Sequence, residues 1–253
     1  MKEKLKILTS SSLHIIAMLF MLIDHVGAVM APGTYWIRAI GRLAFPIFAF
    51  LIAEGYTHTR NVDGYITRLL KFGLVSEIPF NLLTRGKIIA FGNLNVMFTF
   101  AISLIAIRIL DNSLEDNKYE QPLSFRFKLK PIVKVILLGL LASALGTDYG
   151  ASGVCLVVIF YITRLMRDEF KAILIQFGAM IVFFLDPSSI FLKVFGIPVQ
   201  LQHFCVLSLP FIHMYNGKLG INGKTFKSIK YWFYPLHMLA ILLIFMVVTF
   251  LFG

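Results

Sequence analysis

Apolar residues gather into nine runs along the 253-residue chain, at roughly 9–31, 35–57, 66–83, 93–110, 131–147, 150–166, 171–186, 198–215 and 232–252. Most are about 16 to 23 residues long, the length a helix needs to cross the hydrocarbon of a bilayer. Each run predicts a helix. The third carries Lys71, Glu77 and Asn81, so it reads either as a span or as an amphipathic or re-entrant segment. The longest polar stretch, "DNSLEDNKYEQPLSFRFKLK" at 111–130, predicts a cytoplasmic loop with room for an interfacial helix. With no internal repeat and no low-complexity tract, residues 1–253 read as one domain: an all-α, polytopic membrane bundle of about nine transmembrane helices.

The first run follows "MKEKLK" and superficially resembles a signal peptide. Asp24 and His25 interrupt its apolar centre, no clean A-x-A site follows, and further spans come after it, so it reads as a retained first helix.

Charge placement orients the bundle. With the amino terminus inside, only Arg85, Lys87 and Lys193 of the 24 Lys and Arg fall on the far side, and Arg38 and Arg42 lie within the second run. All the rest are cytoplasmic, the asymmetry of the positive-inside rule. Shifting the count by one helix destroys it, so the expected topology is amino terminus in, carboxyl terminus out.

Composition agrees: 58% of residues are hydrophobic and 15% charged, where a soluble domain has about 25% charged. The net charge of +11 then reflects topology and contact with anionic membrane lipids rather than nucleic acid. Cys155 and Cys205 sit in separate apolar runs and suggest neither a disulfide framework nor a metal site.

Several ionisable groups remain inside the spans. Asp24 and His25 are neighbours in the first. Arg38 and Arg42 are four apart in the second and share a helix face, as do Glu54 and His58 further on, and Glu77 and Asn81 in the third. His203 lies in the eighth run and His237 near the start of the ninth. Asp148 occupies the short turn "GTDYGASG". Each such group costs roughly 2.5–3.5 kcal/mol at mid-bilayer, and such groups face the bundle interior. Single pairs can be explained as ion pairs between helices. The whole set predicts a buried polar site.

Depth follows from a rise of ~1.5 Å per residue. His25, Arg38, Arg42 and His203 fall in the outer half, Glu54 and His237 on the cytoplasmic side, so the set is expected to form a column across the membrane. Asp24 and His25 point about 100° apart. Asp24 should therefore pair with Arg38 or Arg42, and another helix must hold the His25 ring, with Asp148 and Glu77 as candidates. His14 shares the His25 face but lies ~16 Å below it.

The motifs "MLIDHVG", "GRLAFPIFAFLIAEGYTHT", "RLLKFGLVSEIPFNLL", "NVMFTF", "DYGASGV", "MYNGKLG" and "FYPLH" occur in this order between residues 14 and 239. In this order they resemble the TraX family of integral membrane proteins. The resemblance implies N-terminal acetylation of pilin subunits, and kinship with transmembrane acyltransferases that carry acyl groups from cytosolic acyl-CoA to acceptors across the membrane. It implies acetyl-CoA as cosubstrate, His25 as general base, Arg38 or Arg42 as oxyanion stabiliser, and no metal. In one branch of that group a basic residue precedes the catalytic histidine by the spacing of His14 and His25, where this chain has His. The resemblance also implies a cosubstrate site from Glu54, His237 and the stretch Tyr215, Asn216, Gly217 and Lys218, with Lys224 and the amides near Gly217 and Gly220 receiving phosphates. The acceptor would be a pilin-like peptide, a glycan or a lipid headgroup, and the location the inner membrane of a bacterium. A transporter or flippase using the same column, and a structural subunit of a secretion or conjugation apparatus, are the competing functions.

Overall fold

The computed structural model describes residues 5–90, 92–115, 129–185 and 190–252. The described part is mostly helical. Helix α1, Ser10–Met30, starts where the Thr9 side chain accepts a hydrogen bond from the Ser12 amide at 3.2 Å, and stops before Pro32 and Gly33. The second apolar run forms two helices, α2 (Tyr35–Gly41) and α3 (Ala44–His58). Pro46 explains the break: it has no N–H for the Arg42 carbonyl four residues back, and its ring crowds that carbonyl.

The third run is one continuous helix, α4 (Val62–Arg85), with Pro79 inside it. Asn61 caps its start and Gly86, at φ 64°, its end. The re-entrant reading of this run is thereby excluded. Helices α5 (Val96–Glu115), α6 (Leu129–Ala144), α7 (Gly150–Arg164) and α8 (Glu169–Phe183) follow. Of the expected 111–130 loop, 111–115 complete α5 and 129–130 begin α6; 116–128 lie outside the described residues.

The eighth run, 198–215, and the residues just before it depart most from expectation. Strands β1 (Phe191–Val194) and β2 (Ile197–Gln200) pair antiparallel around Phe195 and Gly196, both at positive φ. A 3-10 helix (Leu201–Ser208) and the short α9 (Leu209–His213) come next. Pro198, Gln200 and Gln202 dilute the apolar pattern that a continuous helix requires. The last helix, α10 (Lys224–Phe252), starts eight residues ahead of its apolar run, so Pro235 lies inside it and not at its start.

Four segments are long and apolar enough to cross a membrane: Ser10–Met30, Tyr35–His58, Val96–Leu114 and Lys224–Leu251. Helix α3 is central and packs on α1, α5 and α7. Leu13, Ile47, Leu104, Ile107, Leu156 and Met238 are fully buried in the shared core. Outside, α6 exposes Ile136, Leu137 and Leu140, and α10 exposes Leu243, Met246 and Phe250. An apolar surface of this extent on α-helices, whose backbone groups are satisfied internally, marks a membrane protein.

Candidate functional site

Two ends of the bundle can be told apart by chain pairing. At one, Leu8 pairs with Tyr215, and the Ser10 and Ser11 amides donate to the carbonyls of Lys218 and Leu219. Gly220, at φ 74°, lies so close that a Cβ there would sit 2.8 Å from Thr9 Cβ. At the other end α1 and α4 finish, α5 and α7 begin, and Leu94 pairs with Thr147.

A cavity of about 520 Å³ enters from this second end. It is lined by Asp24, His25, Arg38, Arg42, Asp148 and Tyr149, with Thr84, Arg85 and Asn93 toward the helix ends and Met21 and Phe48 deeper.

Asp24 holds both second-helix arginines. Arg42 donates through one terminal nitrogen to both Asp24 oxygens, to Oδ1 at 2.5 Å, and through the other to Gln202 Oε1 at 3.2 Å. Arg38 faces the same carboxylate more loosely, its Nε 3.7 Å from Oδ1, and that Nε has no hydrogen-bond partner. The pairing needs α1 and α2 in close approach. Gly41 permits it: a Cβ there would lie 2.6 Å from the Asp24 Cα.

His25 is held neither by Asp148 nor by Glu77. Its Nδ1 lies 2.7 Å from Nε2 of His237 on α10, with the rings 7° from parallel. His237 Nδ1 in turn lies 2.7 Å from the Phe233 carbonyl oxygen. A carbonyl can only accept, so His237 carries its proton on Nδ1 and offers the Nε2 lone pair. For neutral rings His25 then donates from Nδ1, and its Nε2 is left as an unprotonated acceptor. His237 therefore lies at the depth of His25 and not with Glu54, where its apolar run implied. It stands thirteen residues after Lys224, ~20 Å along α10, while His25 stands ~22 Å along α1.

Glu77 lies beside the cavity. Asn95 donates to it at 2.6 Å and Asn81 at 3.2 Å, and Asn81 accepts from Asn93, which lines the cavity. Asp148 lies on the cavity wall in the turn before α7. Burial pushes its carboxyl up to about 6, against the opposing pull of Arg42.

The remaining polar groups form a second cluster at the first end. Glu54, buried, receives Tyr215 at 3.0 Å, meets Arg164 Nε at 3.0 Å and lies 2.8 Å from His58 Nε2. Asn216 accepts from the Lys218 amide at 2.9 Å, and Gly217, at φ 75°, has open space around it. His14 bonds back to the Ser10 carbonyl at 2.7 Å, and His203 lies 3.2 Å from the Ile181 carbonyl, away from the cavity.

The expected column is thus two clusters. Phe20 packs edge-on against Phe211, and Phe50 against Tyr215 and Phe160. On their helices Phe20 lies between His14 and His25, and Phe50 between Arg42 and Glu54, so an aromatic layer separates the clusters. Gln202, Arg85 and Asn93 are cavity or partner residues that sequence reasoning passed over. The one available signal was Arg85, a basic residue on the side where such residues are rare.

No solved structure matches the chain. It is 27% identical over 240 residues to the probable fimbrial assembly protein FimC, serogroup H1, of Dichelobacter nodosus, covering 89% of this chain and 91% of that protein. It is 24% identical over 160 residues to Protein TraX of Escherichia coli, covering 62% of this chain and 56% of that one. The model of the family described as TraX protein matches residues 9–245, a range that takes in both clusters and every helix that lines the cavity, and the chain belongs to the TraX family.

Proposed function

We propose that the chain is a membrane-embedded acetyltransferase. It moves an acetyl group from cytosolic acetyl-CoA to an amine or hydroxyl of an acceptor at the extracytoplasmic side, in the inner membrane of a bacterium. The observation that carries this reading is the hydrogen-bond chain from Phe233 through His237 to His25, which leaves an imidazole lone pair on the wall of a polar cavity.

The topology in this reading is nine crossings, amino terminus in and carboxyl terminus out. The element order supports it: α2 and α3 make one crossing, and the 3-10 helix with α9 makes another. The β-hairpin then belongs to the outer face, where Leu192 and Leu201 pack on Ala39 of α2.

The second cluster, at the first end, is the cosubstrate side. Lys218 is exposed next to Gly217, and Lys224 and Lys227 open α10 beside it. These residues suit the phosphates of acetyl-CoA, with Glu54, Tyr215 and Asn216 below them. The pantetheine arm enters between them and passes the aromatic layer, whose rings rotate aside, bringing the thioester to the floor of the cavity.

The acceptor comes from the other side. His25 Nε2 takes the proton of its neutral amine or hydroxyl as that atom attacks the thioester carbonyl carbon. The new C–N or C–O bond forms, and the oxyanion is met by Arg38, whose hydrogen-bonding capacity is not used up by Asp24. The C–S bond then breaks, and the thiolate takes the proton back from His25 Nε2, releasing CoA as thiol. His237 positions the base and receives none of the acyl chemistry. The naming of the Dichelobacter relative for fimbrial assembly favours a pilin-like peptide over a glycan or a lipid headgroup as the acceptor.

The test is transfer of label from acetyl-CoA to native membranes by purified protein. His25→Ala is expected to insert and fold but lose at least about 10² in rate, the lower end for a general base. Undiminished transfer by that variant overturns the mechanism, and solute movement without any transfer supports a transporter instead.

A further inference from the structure

The outer rim of the cavity, where α1 and α4 end, holds Thr84, Arg85 and Asn93, and Ala28 and Val29 of α1 line the same cavity. Arg85 stands against the charge trend of the chain, since basic residues are rare on the far side of the membrane. It is also unmatched: among the described residues it meets no carboxylate, and donates only to Asn93 Oδ1, at 3.4 Å. Asn93 is itself fixed, its amide donating to Asn81 and to Thr84, each at 3.3 Å. The other two guanidinium groups differ, because Arg42 is occupied by Asp24 and Gln202, and Arg38 faces Asp24. The dipole of α4 favours a cation in its last turn, which explains a basic residue at 85 but not its place on a cavity wall.

We infer that Arg85, held by Asn93, seats the carboxylate of an Asp or Glu side chain near the amino terminus of a peptide acceptor. From His25 to Val29 the first helix rises ~6 Å, and an extended peptide advances ~3.3 Å per residue. A carboxylate about two or three residues beyond the reacting amine therefore meets Arg85. One guanidinium next to the side-chain amide of Asn93 matches one carboxylate and the N–H and C=O groups of a peptide backbone. Among the described residues that line the rim, a phosphate-bearing headgroup would meet no second cation beside Arg85. The place of the amine rests on the acetyl-transfer reading; the recognition of charge can be measured without it.

The experiment uses full-length protein in nanodiscs and two pentapeptides with free amino termini, alike except for Glu or Gln at the third position. The Glu peptide is expected to bind at least about tenfold more tightly, as a charge-assisted hydrogen bond implies, with the preference weakening as salt rises. Arg85→Gln abolishes the preference and Arg85→Lys keeps part of it. Equal affinities, or a preference that survives Arg85→Gln, overturn the inference. Tighter binding of glycerophosphoethanolamine than of the Glu peptide, lost in Arg85→Gln, also overturns it and assigns the rim to a lipid headgroup. Acetyl transfer to the bound Glu peptide is read in parallel: its absence alongside an intact binding preference contradicts the acetyltransferase reading and leaves Arg85 assigned.

Discussion

His25 and His237 lie 212 positions apart in the chain and share one hydrogen bond of 2.7 Å. Because His237 is anchored on a backbone carbonyl of its own helix, the bond has a direction, and the direction leaves Nε2 of His25, a residue of the cavity wall, without a proton. Removing His237 should therefore impair transfer without touching the reacting atoms. His237→Ala is expected to slow acetyl transfer by about tenfold or more, while His237→Gln, whose side-chain oxygen still accepts from His25 Nδ1, recovers part of the loss. Equal rates in the two variants, measured at matched folding, would remove the orienting role.

The contact between α1 and α2 depends on a missing side chain. A Cβ on Gly41 collides with the Asp24 backbone, whereas one on Gly178 of α8 meets nothing within 4 Å. Gly41→Ala should cost about 1–3 kcal/mol as an overpacked contact and lower the thermal midpoint in detergent. Gly178→Ala should leave the midpoint unchanged or raise it, since alanine is the better helix former. Matching shifts in the two variants would contradict this account of the interface.

Asp24 and Arg42 are largely buried, with 15% and 14% of their side chains exposed. Removing one partner of such a pair leaves an uncompensated charge and costs about 3–5 kcal/mol. Asp24→Asn should therefore destabilise more than the double variant Asp24→Asn with Arg42→Gln. Additive losses in the double-mutant cycle would mean the two groups do not interact.

The raised carboxyl of Asp148 predicts a pH dependence. Its folded value, about 6, lies above the ordinary 3.8, so the folded protein binds more protons between these values than the unfolded chain. Stability falls as pH rises from about 4 to about 6 and is flat with respect to this group above that. Asp148→Asn should flatten the dependence of the thermal midpoint across this window. An unchanged slope would place the titration elsewhere.

How much of this was legible depends on where the signal lies. The first helix was, because its apolar run and its cap coincide with its bounds, and the expected pairing of Asp24 with Arg38 or Arg42 was legible too, although both arginines face it. The start of α10 was not, because "KTFKSIKY" is amphipathic and basic and falls outside an apolar run. That single error of eight residues placed His237 at the wrong depth and hid its contact with His25. The second strand and the 3-10 helix were hidden by a run whose average hydropathy suits a helix although Pro198 does not, and the first strand lies ahead of that run. The aromatic layer that divides the polar groups depends on which rings face inward from four helices, and no linear pattern reports that.

The central claim is that His25 presents an unprotonated Nε2 to the cavity because His237 holds its Nδ1 proton. Nitrogen-15 NMR of selectively labelled histidines in nanodiscs, assigned through His25→Gln and His237→Gln, measures it most directly. Both rings are expected as neutral Nδ1–H tautomers, with the His25 signal disturbed when His237 is replaced. A His25 ring protonated on Nε2, or one indifferent to the loss of His237, would contradict the account.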